Sequence, residues 1–161
     1  MPRGRPFDPA GELLEAFGRC AHATEYLVTR IPDAAWRAEP PAGRGRTIAA
    51  MVAHIQGVRR TFARMGGARR TGPSLDRLRV TRAQALGALR QSREGLLGMF
   101  GRTMADGRPR VPGQSRRMVD MLVYLIQHDA HHRGQICMRL RDLGLDLTSE
   151  DVMRLWGWKK L

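Results

Sequence analysis

Apolar residues recur along this chain at spacings of three and four, which is typical of amphipathic helices. The first such segment runs from about Asp8 to Arg30 and includes Phe17 and Leu27 on one face. Asp8 followed by Pro9 suits a helix N-cap followed by proline at the first helical position. The pattern therefore predicts a long first helix that ends before the next proline.

The same periodicity predicts three more long helices and one short helix. These run from Thr47 to about Met65, from after Thr81 to about Ala105, from Ser115 to about Leu143, and from about Ser149 to Trp156. Segments 32–46, 68–80 and 106–114 are rich in proline and glycine and are predicted loops. No strand-like alternation extends beyond a few residues, so the prediction is an all-α antiparallel four-helix bundle with a short extra C-terminal helix.

The length of 161 residues, 42% of them hydrophobic, predicts a single domain, 1–161, with a real core. The first loop is long enough that the two helices it connects need not pack as a simple hairpin. Trp36, which lies in this loop, is expected to pack over one end of the bundle. The N-terminus lacks the apolar segment of a secretory signal, so the cytoplasm is the expected location. Cys20 and Cys137 form no CxxC pair and are expected to be buried, unreactive thiols.

The formal net charge is +13, and nearly all of the positive charge is arginine. A basic surface attracts polyanions, so nucleic acid is considered as a partner. However, the arginines are spread along the whole chain and do not form a stripe with interleaved aromatic residues. There is no asparagine and almost no lysine, which is also consistent with a genomic coding preference. Nucleic-acid binding is therefore not favoured.

Histidines supply the candidate chemistry. His128 and His132 are four residues apart, which on a helix places both imidazoles on one face, one turn apart, where both can reach one ion. On a helical wheel both lie on or beside the apolar stripe. His131 falls outside the stripe and is predicted to be a surface or rim residue.

A third ligand is needed, and His54 lies at the edge of the apolar face of the second helix. Three histidines would leave an open coordination position, the pattern of a catalytic site. The alternatives are ordinary core or surface histidines, and a fourth ligand from His22 is less favoured. Asp129 is a candidate carboxylate behind the ligands or, alternatively, an ion-pair partner of an arginine from another helix or subunit.

The stretch His128-Asp-Ala-His-His-Arg-Gly-Gln-Ile136 resembles the DinB/YfiT-like family of damage-inducible, metal-binding four-helix bundles, and residues 47–55 look like that family's second helix. The resemblance implies a left-handed up-up-down-down bundle in which His54, His128 and His132 bind one divalent metal. Gln135 matches the signature without being a ligand and joins Asp129 as a candidate supporting residue. Family members bind nickel, zinc, iron or manganese and are commonly homodimers.

The resemblance implies a metal-dependent enzyme, such as a hydrolase or an S-transferase using bacillithiol, mycothiol or glutathione. No carboxylate–histidine pair elsewhere suggests a general base, so no catalytic residue is assigned and a metal-bound water or thiol is expected to serve. The positive charge is consistent with an anionic small molecule or a low-molecular-weight thiol as partner, and equally with an arginine excess that has no function. No apolar run approaches the roughly 18 to 20 residues that cross a bilayer, so no membrane partner is expected. The alternative is a non-enzymatic DNA-damage or stress-associated binding protein with a basic surface.

Overall fold

The fold is all-helical over the residues that the computed structural model describes, 7–40 and 43–157. The helices are α1 (Pro9–Arg30), α2 (Asp33–Trp36), α3 (Ile48–Met65), α4 (Arg82–Ala105), α5 (Met118–Asp142) and α6 (Ser149–Leu155). This confirms the predicted helical bundle with a short C-terminal helix. The single-turn α2 was not predicted, and α5 begins three residues later than expected. Residues 1–6, 41–42 and 158–161, which include both lysines, lie outside the described part.

Side-chain caps explain where the long helices begin. Asp8 accepts a hydrogen bond from the backbone N–H of Ala10, and Thr47 accepts one from Ala50 at the start of α3. Thr81 and Gln84 form a reciprocal capping box at the start of α4. Each such cap contributes about 1 kcal/mol to helix stability.

Cross-helix contacts fix the direction of each long helix. The pairs that do so are Thr24–Asp129 for α1 with α5, Phe17–Phe100 and Glu25–Arg93 for α1 with α4, Gln56–Ser92 for α3 with α4, and Phe62–Tyr124 for α3 with α5. Together they show that α1 and α5 run in one direction and α3 and α4 in the other. Along the chain the order is up, down, down, up, rather than the up-up-down-down order that the resemblance implies. Going round the bundle through α1, α5, α3 and α4, the directions are up, up, down, down.

Because α3 and α4 run parallel, the segment between them must return along the bundle. It passes directly over α4, where a Cβ built on Gly95 would lie 1.6 Å from the backbone oxygen of Arg70. Gln56 donates to the backbone oxygens of Thr71 and Pro73 at 3.3 and 3.4 Å, which holds the returning segment against α3. Gly95 is therefore required for this close approach.

The apolar core is divided into two clusters by a layer of buried polar residues. One cluster lies where α3 begins and includes Trp36, whose ring packs at that end as expected and whose Nε1 donates to the oxygen of Val80 at 2.9 Å. The other lies around Phe17 and Phe100. The polar residues between them are Thr24, Gln56, Arg59, Ser92, Asp129 and His132. Buried polar groups cost free energy unless they are hydrogen-bonded, so the residues of this layer are candidates for a functional role.

None of the described helices has a stretch long and apolar enough to cross a bilayer. Cys20 and Cys137 are both free and only partly buried. Burial raises the pKa of the Cys137 thiol, which agrees with an unreactive cysteine.

Candidate metal centre

Three histidines from two antiparallel helices meet at one edge of the polar layer. His54 comes from α3, and His128 and His132 come from successive turns of α5. The ring centroids of His54 lie 5.1 Å from His128 and 4.8 Å from His132, and the two rings of α5 are 4.5 Å apart. These separations are well inside the roughly 8 Å beyond which a single ion with bonds of about 2.1 Å could not join the rings.

The nitrogen atoms of this three-histidine cluster lie near the spacing that one metal ion requires. The Nε2 atoms of His54 and His128 are 3.3 Å apart, and one nitrogen from each of the three rings lies within 4.8 Å of the others. Tetrahedral coordination with bonds of about 2.1 Å places ligand nitrogens about 3.4 Å apart. One pair already has this spacing, and small ring rotations would close the rest. The three residues could therefore hold one ion.

Gln135 orients His132 from one turn further along α5. Its Oε1 is 2.7 Å from His132 Nδ1, while its Nε2 lies 3.0 Å from His131 Nε2 and donates to it. With its amide so oriented, Gln135 accepts the Nδ1 proton of His132, which leaves Nε2 with a free lone pair for an ion. His131 itself is exposed, as predicted, and contacts the cluster through this amide and through an edge contact with the His132 ring, with centroids 5.0 Å apart.

Asp129 lies behind the cluster and pairs with Arg59 of α3, both side chains being fully buried. Asp129 also accepts a hydrogen bond from Thr24 of α1 at 3.1 Å, and Arg59 donates to the backbone oxygen of Ala21 at 3.3 Å. The pair therefore ties α1, α3 and α5 together. Of the two roles considered for Asp129, the ion pair with an arginine of another helix is present.

Asp129 is also close to the back of His128. Its Oδ1 lies 3.9 Å from His128 Nδ1, and that nitrogen is buried without a hydrogen-bond partner among the described residues. A modest rotation of the ring would turn this approach into a hydrogen bond, the usual arrangement behind a metal-binding histidine. Tyr124 stacks on the other side of the His128 ring, with centroids 5.8 Å apart.

The electrostatics favour the neutral form of His54 and His132, and an imidazole must be neutral to bind a metal. Burial, followed by the charge of Arg46 and the neighbouring rings, lowers the pKa of His54 from 6.5 to about 4. Burial also lowers the pKa of His132, against the opposing effect of its hydrogen bond to Gln135. Burial acts to raise the pKa of the Asp129 carboxyl, but the charge and hydrogen bond of Arg59, the approach of His128 and the charge of Arg133 together outweigh it. This pKa therefore lies below its ordinary value. At neutral pH His54 and His132 therefore present uncharged nitrogens near a buried carboxylate.

A cleft of about 390 Å³ opens beside His54. Its walls are one face of α3 and residues 75–77 of the returning segment. The residues that line it are Arg46, Ala50, Ala53, His54, Gly57, Leu75, Asp76 and Arg77. The cluster therefore has an approach from solvent on the side of His54.

The structure brings together all three histidines predicted from the sequence, whereas His22 lies exposed on α1, outside the cluster. Sequence analysis missed Arg59 and Arg46. Arg59 falls four residues after Ile55 and so lies within the apolar stripe of α3, which was a readable signal. Arg46, in contrast, is an exposed loop residue with nothing in its local pattern to mark it.

Comparison with known proteins agrees with the resemblance. The model of the DinB superfamily matches residues 16–136, which include all three histidines of the cluster. The chain belongs to the DinB superfamily. Neither the curated proteins nor the solved structures that were searched contain a match. Family membership and the geometry of the three-histidine cluster thus rest on independent observations.

Proposed function

We propose that this DinB-superfamily protein binds one divalent transition metal through His54, His128 and His132 and acts as a metal-dependent enzyme on a small substrate. The observation that carries the proposal is the convergence of three imidazoles at the edge of a solvent-accessible cleft. Imidazole sets of this kind suit zinc, nickel or iron, and manganese is a further metal of the family. When bound, such an ion supplies Lewis acidity and lowers the pKa of a coordinated water or thiol.

Each residue of the centre has a definite task. The three imidazoles offer ring nitrogens as ligands, and Gln135 keeps the proton of His132 on Nδ1, away from the metal side. Asp129 supplies negative charge behind His128, and Arg59 keeps that carboxylate ionised and fixed in place. Three protein ligands leave coordination positions for substrate, which supports a catalytic rather than a structural ion.

Within this class, transfer of a low-molecular-weight thiol to an electrophile is the reaction that we favour, with hydrolysis as the second. Both need a nucleophile generated at neutral pH, which a thiol or water bound to the metal would supply. A homodimer and a cytoplasmic location remain predictions. Sedimentation equilibrium of the full chain tests the first.

The test uses protein purified without chelator and without a nickel resin, with its metal content measured first. The metal-loaded protein is then assayed for thiol conjugation to electrophiles and for ester or amide hydrolysis. His128→Ala should abolish activity, whereas His22→Ala, which removes an exposed histidine outside the cluster, should leave it unchanged. Activity that survives His128→Ala would rule out the proposed centre.

A further inference from the structure

The cleft beside His54 is lined by two arginines whose charges are not used elsewhere. Arg46 precedes the N-cap of α3, and Arg77 lies on the returning segment on the opposite wall. Neither guanidinium has a hydrogen bond or an ion pair with any side chain or backbone oxygen in the described ranges. Both are exposed and free to bind a ligand in the cleft.

Small residues make room between these arginines and the histidine. Ala50, Ala53 and Gly57 follow Arg46 along the same face of α3, and a Cβ built on Gly57 would meet nothing within 4 Å. The resulting space of about 390 Å³ is at the lower end of the range for small-molecule sites, so it suits a compact metabolite.

The charge in this cleft is positive on balance. Asp76 also lines the cleft, but its Oδ1 accepts a hydrogen bond from the backbone N–H of Leu78 at 2.8 Å within a local turn. One carboxylate therefore stands against two guanidinium groups. Arg46 lies near enough to the metal centre for its charge to act on both His54 and His132. An anionic group held here would therefore be attracted by two guanidinium groups and would lie next to the imidazoles.

We propose that Arg46 and Arg77 form an anion-binding subsite that anchors a carboxylate or phosphate group of the substrate beside the three-histidine cluster. This inference rests on the proposed function, because it names the class of substrate for that centre. It also gives two of the many arginines of this chain a specific role. Guanidinium groups bind carboxylate and phosphate through paired N–H donors, so both anions share the chemistry that the cleft offers.

The experiment measures anion binding directly, by calorimetry and by the visible absorption of Co²⁺-loaded protein at constant ionic strength. Succinate and inorganic phosphate are titrated in separate arms. The variant Arg46→Gln/Arg77→Gln is compared with Arg64→Gln/Arg69→Gln, which makes the same change in net charge on exposed residues remote from the cleft. We expect the cleft variant to lose about ten-fold in affinity for at least one anion and the control less than about two-fold.

Preference for one anion over the other identifies the group that the subsite takes. Equal anion affinity in both double variants, or no anion binding by the wild type with Co²⁺ bound, would overturn the subsite while leaving the metal centre intact. Failure of the wild type to bind Co²⁺ would instead overturn the proposed function. In that case the same titrations on metal-free protein still decide whether the arginines bind anions.

Discussion

Breaking the buried Arg59–Asp129 pair should destabilise the protein far more than breaking an exposed one. Both side chains are fully buried, and replacing the carboxylate by a neutral amide leaves the Arg59 guanidinium charge buried without the carboxylate that compensates it. Loss of one partner of such a pair typically costs about 3–5 kcal/mol, because an uncompensated charge stays buried. Domains of this size have a free energy of unfolding of about 5–15 kcal/mol, so Asp129→Asn should remove a large fraction of it.

The assay is urea unfolding followed by circular dichroism and tryptophan fluorescence. Arg19→Met serves as the control, since Arg19 and Glu15 form an ion pair whose side chains are 66% and 63% exposed, and its loss should cost less than about 1 kcal/mol. The double variant Arg59→Met/Asp129→Leu removes both charges together and should regain most of the lost stability. With the single variants Arg59→Met and Asp129→Leu it closes a double-mutant cycle, and a coupling energy of about 2 kcal/mol or more would support the reasoning.

The pair also predicts a dependence on acid. Because the folded-state pKa of Asp129 lies below its ordinary 3.8, the pair contributes its full stabilisation above about pH 4, and this contribution is lost as the pH falls through the lower folded value. Asp129→Asn should lose less stability over that range. If Asp129→Asn costs no more than the Arg19→Met control, or if the two single effects at the buried pair simply add, the pair does not have the role described here.

Three further predictions concern single positions. Gly95→Ala should destabilise the protein by about 3 kcal/mol or more, because the added Cβ would meet a backbone oxygen. Gly87→Ala in the same helix places its Cβ where nothing lies within 4 Å, and it should stabilise the protein by about 0.5–1 kcal/mol. Thermal unfolding of the two variants compares them. Gln135→Ala should weaken Zn²⁺ binding about ten-fold in a competition titration, because His132 loses the acceptor that orients its ring. Gln127→Ala, at an exposed position of the same helix, should leave Zn²⁺ binding unchanged. Metal-free protein should lose stability as the pH falls from about 6.5 towards 4, because His54 takes up a proton in the unfolded chain at a higher pH than in the folded protein. The measurement is the urea midpoint as a function of pH. A midpoint that does not change over this range, or a pH dependence that His54→Ala leaves unaltered, would contradict the lowered pKa of His54.

The helices and the ligand pair on α5 were predictable because both depend on spacing along one segment. Periodic apolar residues predicted every long helix, and the four-residue interval between His128 and His132 placed both rings on one face. The four-residue α2 has no periodicity to read, so it was missed. His54 was a weaker inference from the residues alone, because only the packing of α3 against α5 brings its ring to the other two.

What the sequence could not supply are the relations between elements. Arg59 was visible as a charge within an apolar stripe, but its partner depends on which helix faces α3. The cleft at Arg46 and Arg77 exists only because α3 and α4 run parallel, which forces the returning segment across the bundle. Gln135 was marked by the resemblance, whereas its hydrogen bond to His132 follows from the rotamers of the folded helix.

The most direct test of the three-histidine centre is a crystal structure of protein loaded with Zn²⁺ or Co²⁺, with anomalous diffraction recorded at the absorption edge of that metal. The expected result is one peak per chain at about 2.1 Å from a nitrogen of each of His54, His128 and His132. A peak bound to only one of these residues, or located elsewhere on the chain, would contradict the centre. So would the absence of any peak in protein that the metal saturates in solution.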